Sequence, residues 1–136
     1  MTMIAGRYYV GDLCYVMDDD EWREVCDLTI VNNKMVNGEF NMKDGRRFAM
    51  YCTAYGDGVF YDENEREYSV DSGSIGCILA ADVKAHDKPY DVMNLGNMIN
   101  FENDFDTASQ RGLIRFGNVR IDTDPPYVDE EEYDEI

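Results

Sequence analysis

Between Gly38 and Ala80 the chain is interrupted at short intervals by residues that reverse a backbone: Asp44-Gly45, Gly56-Asp57-Gly58, Asp62-Glu63-Asn64-Glu65 and Asp71-Ser72-Gly73. Glycine supplies backbone conformations closed to other residues, and aspartate and asparagine side chains bond their own backbone, so such clusters mark turns. The segments between them are short and rich in aromatic and β-branched residues. They read as strands at 38–42, 46–54, 58–61, 66–70 and 75–79. Phe48, Met50 and Cys52 alternate with Arg47, Ala49 and Tyr51, the period-2 pattern of a pleated strand. Turns at this spacing predict an antiparallel meander in a small barrel or sandwich.

The flanking segments add one helix and more strands. Arg7-Tyr8-Tyr9-Val10 and Leu13-Cys14-Tyr15-Val16 read as extended, with Gly11-Asp12 as a bend or bulge. Asp18-Asp19-Asp20-Glu21 then has the signature of a helix start. Asp18 is placed to cap, Glu21 stands three residues on, and the acids favour the positive end of the helix dipole. Trp22, Val25, Cys26 and Thr29 form one buried face, and Asn32-Asn33 lies beyond the end of the helix. A helical turn is expected at 80–84 and a surface loop around His86. Further strands are expected at 97–102, 113–116 and 119–121, with Gly117-Asn118 as a two-residue hairpin or a bulge. Pro125-Pro126 ends the pattern because proline cannot donate to a ladder. The fold class is therefore α+β, mostly β, with one N-terminal amphipathic helix. A single domain is expected at 1–123 and a disordered acidic tail at 124–136.

Twenty-nine acidic against twelve basic residues give a net charge of −17. Seven of those charges (Asp124, Asp129, Glu130, Glu131, Glu132, Asp134 and Glu135) lie in the tail, leaving −10 on residues 1–123. A field of this sign repels nucleic acid and anionic membrane and attracts basic surfaces. No apolar run approaches the roughly 20 residues of a membrane span, and no signal peptide is seen, so the chain reads as cytoplasmic. Cys14, Cys26, Cys52 and Cys77 have no CxxC spacing and sit among apolar neighbours, as buried thiols do.

Motifs that carry chemistry are missing. His86 is the one histidine and stands in a polar loop, no serine has a nucleophile-elbow context, and there is no phosphate-binding glycine loop. No catalytic residue, metal site or cofactor is assigned. Asp57, Asp62, Glu63, Glu65 and Asp71 fall at hairpin ends and, with Asp129, Glu130, Glu131 and Glu132 of the tail, form the candidate acidic binding surface. Convergence of hairpin acids on one sheet edge would suit Ca²⁺ or Mg²⁺, but turns recruit aspartate for backbone reasons alone. Arg46, Arg47, Arg111, Arg115 and Arg120 are the alternative candidates, an anionic-ligand site if they converge. Tyr51, Tyr55, Phe60, Tyr61 and Tyr68 suit cross-strand packing better than base stacking.

Two stretches carry a resemblance. The run from Tyr8 to Val16 (YYVGDLCYV) precedes an acidic, Trp-containing helix, and Thr53-Ala54-Tyr55-Gly56-Asp57-Gly58 is followed by Tyr61-Asp62, Val70-Asp71-Ser72-Gly73 and Ile75-Gly76. Together with Phe116-Gly117-Asn118-Val119, they resemble a group of small β-rich proteins of bacteria, phages and large DNA viruses. The resemblance implies a fold and a viral or phage setting, and no activity.

The functional expectation is a non-enzymatic acidic protein, phage- or virus-encoded and acting in the host cytoplasm. It would engage a basic protein surface, as a nucleic-acid mimic inhibiting a host defence or nucleic-acid-handling enzyme does. No direct binding of nucleic acid or membrane is expected. The alternatives are sequestration or hydrolysis of a small anion such as a cyclic nucleotide, and a minor structural protein.

Overall fold

The computed structural model describes residues 2–83 and 95–124. Its centre is an antiparallel five-stranded sheet built from β1 (Gly6–Gly11), β4 (Gly38–Asn41), β5 (Arg47–Cys52), β8 (Ser74–Leu79) and β9 (Asn97–Phe101), in the order β4-β5-β8-β1-β9. Side chains alternate between two separate cores. Tyr8, Val10, Ala49, Tyr51, Ile75, Cys77 and Ile99 point to one face. Tyr9, Phe48, Met50 and Ile78 point to the other.

The second face is covered by helix α1 (Asp19–Thr29), which presents Val25 with Trp22 and Leu28 beside it. The helix begins as its sequence implies. The Asp18 carboxylate accepts from the Glu21 N–H at 2.8 Å, and the Glu21 carboxylate accepts from the Asp18 N–H at 3.0 Å. This reciprocal box satisfies two backbone donors that the first turn would otherwise leave bare. The first face is covered by a three-stranded sheet of β10 (Thr107–Gln110), β11 (Leu113–Phe116) and β12 (Val119–Asp122), and by a hairpin of β6 (Gly58–Tyr61) and β7 (Glu67–Val70). Ile114, Phe116, Val119, Ile121, Tyr68 and Val70 supply the apposed core. The architecture is layered, helix on sheet on sheet, in the mostly-β α+β class.

Three local expectations change. Leu13–Tyr15 is a 3₁₀ turn and not a strand, because the Asp12 carboxylate caps it by accepting from the Cys14 N–H at 3.0 Å. That turn drops Leu13 into the core over Gly76, where a Cβ would come within 2.9 Å of the Leu13 side chain. The strands from 38 to 80 do not form a simple meander. β5 pairs with β8, and β6–β7 stands aside as its own hairpin. β8 is apolar at nearly every position and needs cover on both faces, which a central strand has. β6 leaves Val59 and Tyr61 exposed and sits at the periphery.

Two pairings have little sequence signal. Asn32 and Asn33, at φ 53° and 65°, make a two-residue turn between β2 (Ile30–Val31) and β3 (Lys34–Met35). β10 is recruited by β11 through Arg111-Gly112, at φ 52° and 82°. Gly117-Asn118 is a two-residue hairpin, with Phe116 opposite Val119.

Candidate functional site

The acids of the β6–β7 hairpin lie at its two ends. Asp57 and Asp71 flank the Gly58–Val70 end, and Asp62, Glu63 and Glu65 lie at the turn. Four residues of strand, about 13 Å at 3.3 Å each, separate the groups. Asp57, Glu63, Glu65 and Asp71 are exposed, but Asp62 is not on the surface. Its carboxylate accepts from Tyr68 Oη and the Arg66 guanidinium, each at 2.7 Å, and from the Asn64 and Arg66 N–H groups at 2.9 and 3.0 Å. Burial alone would raise the Asp62 carboxyl, yet these donors outweigh it and hold the group below the usual carboxylate range. Burial and the adjacent carboxylate push the Tyr68 hydroxyl up. Asp62 is a clamp that closes the hairpin. The tail acids Asp129, Glu130, Glu131 and Glu132, and His86, lie outside the described residues.

Asp12 is a second buried clamp. It is fully enclosed and accepts from the Asp71 and Ser72 N–H groups at 2.8 and 2.7 Å and from Ser72 Oγ at 2.9 Å, in addition to the Cys14 N–H. It ties the end of β1 to the turn that leads into β8. Both motifs behind the resemblance, Gly11-Asp12 and Asp71-Ser72-Gly73, meet at this contact.

The carboxylates that converge on a concavity are others. The loop after β9 and the β11–β12 turn enclose an open groove of about 690 Å³. Glu102, Asp104 and Asp106 line it, with the amides of Asn100, Asn103 and Asn118, and no Lys or Arg is among the described residues that line it. Phe105, between two of these acids, is buried against Tyr8 and Phe101 and anchors the loop. Met3 bonds it on both sides, at 2.8 and 2.9 Å. Asp104 accepts from the Ala5 N–H at 2.8 Å, which orients it. The i, i+2, i+4 spacing of Glu102, Asp104 and Asp106 was the available signal; it escapes a reading that looks for acids in turns.

The five candidate arginines separate. Arg46 is enclosed by Glu21 and by Asp44 at 2.9 Å, and also donates to the Asp82 carbonyl at 3.2 Å. Glu21 thus caps the helix with one oxygen and holds Arg46 with the other. Arg47 lies 3.9 Å from Glu39, whose second oxygen accepts from Thr107 Oγ1 at 2.6 Å. Arg111 occupies the β10–β11 turn. Only Arg115 and Arg120 are brought side by side, directly opposite on β11 and β12 and both exposed.

Among the aromatics, Tyr51 and Tyr68 are core, Phe60 packs at the core edge, and Tyr55 and Tyr61 are exposed. All four cysteines are free thiols. Cys77 alone is buried, and Cys14, Cys26 and Cys52 are half-buried, so the expectation of four buried thiols holds for one. No group of three or more metal-ligating side chains occurs among the described residues. No described helix is long and apolar enough to cross a membrane. No protein-family model matches the chain, and no curated protein or solved structure shows significant similarity to it.

Proposed function

We propose that this chain is a non-enzymatic acidic binding protein that engages a basic surface of a protein partner. The observation that carries the reading is the groove lined by Glu102, Asp104 and Asp106. Carboxylates on a loop anchored by the buried Phe105 and by the Ala5–Asp104 hydrogen bond present negative charge to incoming Lys or Arg side chains at a lower ordering cost. The −10 carried by residues 1–123 supplies a long-range field that draws such a partner in. The nucleic-acid-mimic form of the proposal puts these carboxylates where phosphates would stand, in the binding groove of a host defence or nucleic-acid-handling enzyme. The phage or viral setting belongs to this proposal and rests on the sequence resemblance.

The test is binding of a hexalysine peptide by calorimetry. Each lost charge contact is worth about 1 kcal/mol, so Glu102→Gln with Asp106→Asn should weaken binding about thirtyfold and flatten its salt dependence. Equal affinity of variant and wild type would refute the groove as the site. One observation favours a second reading, a minor structural component. Ile30, Val31, Met35 and Val36 of the β2–β3 region are 41–49% exposed, a cluster of the kind found at contacts between subunits.

A further inference from the structure

We propose that two copies of this chain associate through the β2–β3 ribbon. Residues 30–37 are all exposed. Among the described residues eight large apolar side chains are exposed, and Ile30, Val31, Met35 and Val36 make up half of them within one short hairpin. None of the four belongs to either core. Ile30 stands opposite Met35 and Val31 opposite Lys34, so apolar groups occur on both faces of the ribbon. A hairpin this short is not stable by itself. It is held at its root, where the Val36 N–H donates to the Thr29 carbonyl at 2.7 Å and the buried Thr29 donates through Oγ1 to the Val25 carbonyl at 2.8 Å. The fold thus presents an apolar ribbon that its own core leaves uncovered.

Charge selects the occupant. The chain carries −17, and residues 1–123 alone carry −10, so two copies repel over most of their surfaces. The stretch from Leu28 to Gly38, bounded by Asp27 and Glu39, contains no acid, and Lys34 gives it a charge of +1. Copies that meet here bring no carboxylate of one ribbon against a carboxylate of the other, which keeps the repulsion at its weakest. A basic partner would find no carboxylate on this ribbon, and a single lysine is too little to select an acidic one. A second copy needs neither. A two-fold axis sets the same patch against itself, so Ile30 and Met35 of each copy meet apolar groups of the other. Two ribbons form a small interface, and the dimer is accordingly weak and concentration-dependent. The inference names the occupant that the structural-component reading leaves open, and it does not rest on the groove, whose carboxylates lie on a different loop.

Sedimentation equilibrium of the full-length protein is the test. At about 500 µM, a concentration suited to a weak interface, the mass should rise above the 15.7 kDa of one chain toward twice that value. Raising salt from about 0.1 M to about 1 M shortens the screening length from about 10 Å to about 3 Å, so association should strengthen about threefold or more. Hexalysine binding at the groove weakens under the same change, so the two readings fail separately. Ile30→Glu/Met35→Glu adds two negative charges per copy at exposed positions and should weaken association by about tenfold or more. Val59→Glu, at an apolar side chain 50% exposed on β6, is the control and should associate as wild type does. A wild type that stays at 15.7 kDa at either salt concentration, or association that salt weakens, would overturn the proposal. So would undiminished association of the Ile30/Met35 variant, or an equal loss in Val59→Glu. The first readout uses the unaltered chain, so it decides the matter even where a variant misfolds.

Discussion

Replacing Asp12 tests whether a buried carboxylate, and not packing alone, joins β1 to the turn before β8. The side chain is fully enclosed and accepts from three backbone N–H groups and one hydroxyl, at 2.7–3.0 Å. A hydrogen bond to a charged group contributes about 1.5–3 kcal/mol when its partner has no alternative. Asp71 and Ser72 are exposed, so water recovers much of what their N–H groups lose, and the Cys14 N–H bears most of the remainder. Asp12→Ala should therefore cost about 3 kcal/mol. Asp12→Asn is the sharper variant. It keeps the volume, but one oxygen becomes an NH₂ that must face donors at either pair of contacts, so it should still cost about 2 kcal/mol. Urea unfolding followed by Trp22 fluorescence measures both, with an unchanged denaturant slope as the control that the end states are the same. An Asn variant within about 0.5 kcal/mol of wild type would show that packing holds this junction and that the charge is incidental.

Other groups give separate expectations. Asp62 is held below the usual carboxylate range, so its contribution is complete above about pH 4 and is lost as pH falls through its lowered value. Asp62→Asn should flatten the acid limb of the stability curve, and an unchanged limb would count against the clamp. The Tyr8 hydroxyl is pushed up to about 12, chiefly by burial. Between its ordinary value near 10 and that point the native state keeps a proton that the unfolded state has lost, so stability falls as pH rises. Tyr8→Phe should lessen that fall in alkaline denaturation. Burial also pushes up the Cys77 thiol, so Cys77 should resist a thiol reagent until the protein unfolds, whereas Cys14, Cys26 and Cys52 react more readily. Peptide mapping that finds native Cys77 labelled first would contradict its position in the core.

What could be read from residues alone follows the range of the interaction involved. The α1 cap, the 58–61 strand and the Gly117-Asn118 hairpin depend on neighbours a few positions apart, and each stands where its residues imply. Pairing of β5 with β8 depends on which strands need cover on both faces, and turn chemistry is silent on that. Leu13–Tyr15 looked extended because the acceptor that bends it, Asp12, resembled an ordinary turn former. For the site, local signals misdirected. Asp62 had the composition of a surface acid, and only Tyr68 and Arg66 folding over it reveal its role. Arg115 and Arg120 were recognisable as a basic cluster, and the two-residue turn between their strands sets them opposite one another. The groove acids carry little sequence signal because Phe105, whose burial turns Glu102, Asp104 and Asp106 outward, reads in sequence as one more aromatic.

On the proposed reading the groove carboxylates, and not diffuse charge, recognise a basic partner. An isotope-labelled sample of the full chain, titrated with hexalysine and followed by amide chemical shifts, tests it most directly. Shifts should concentrate at residues 100–106 and at Asn118, saturate together and be suppressed by added salt. Shifts spread evenly over the acidic surface, or confined to residues 129–135, would contradict it.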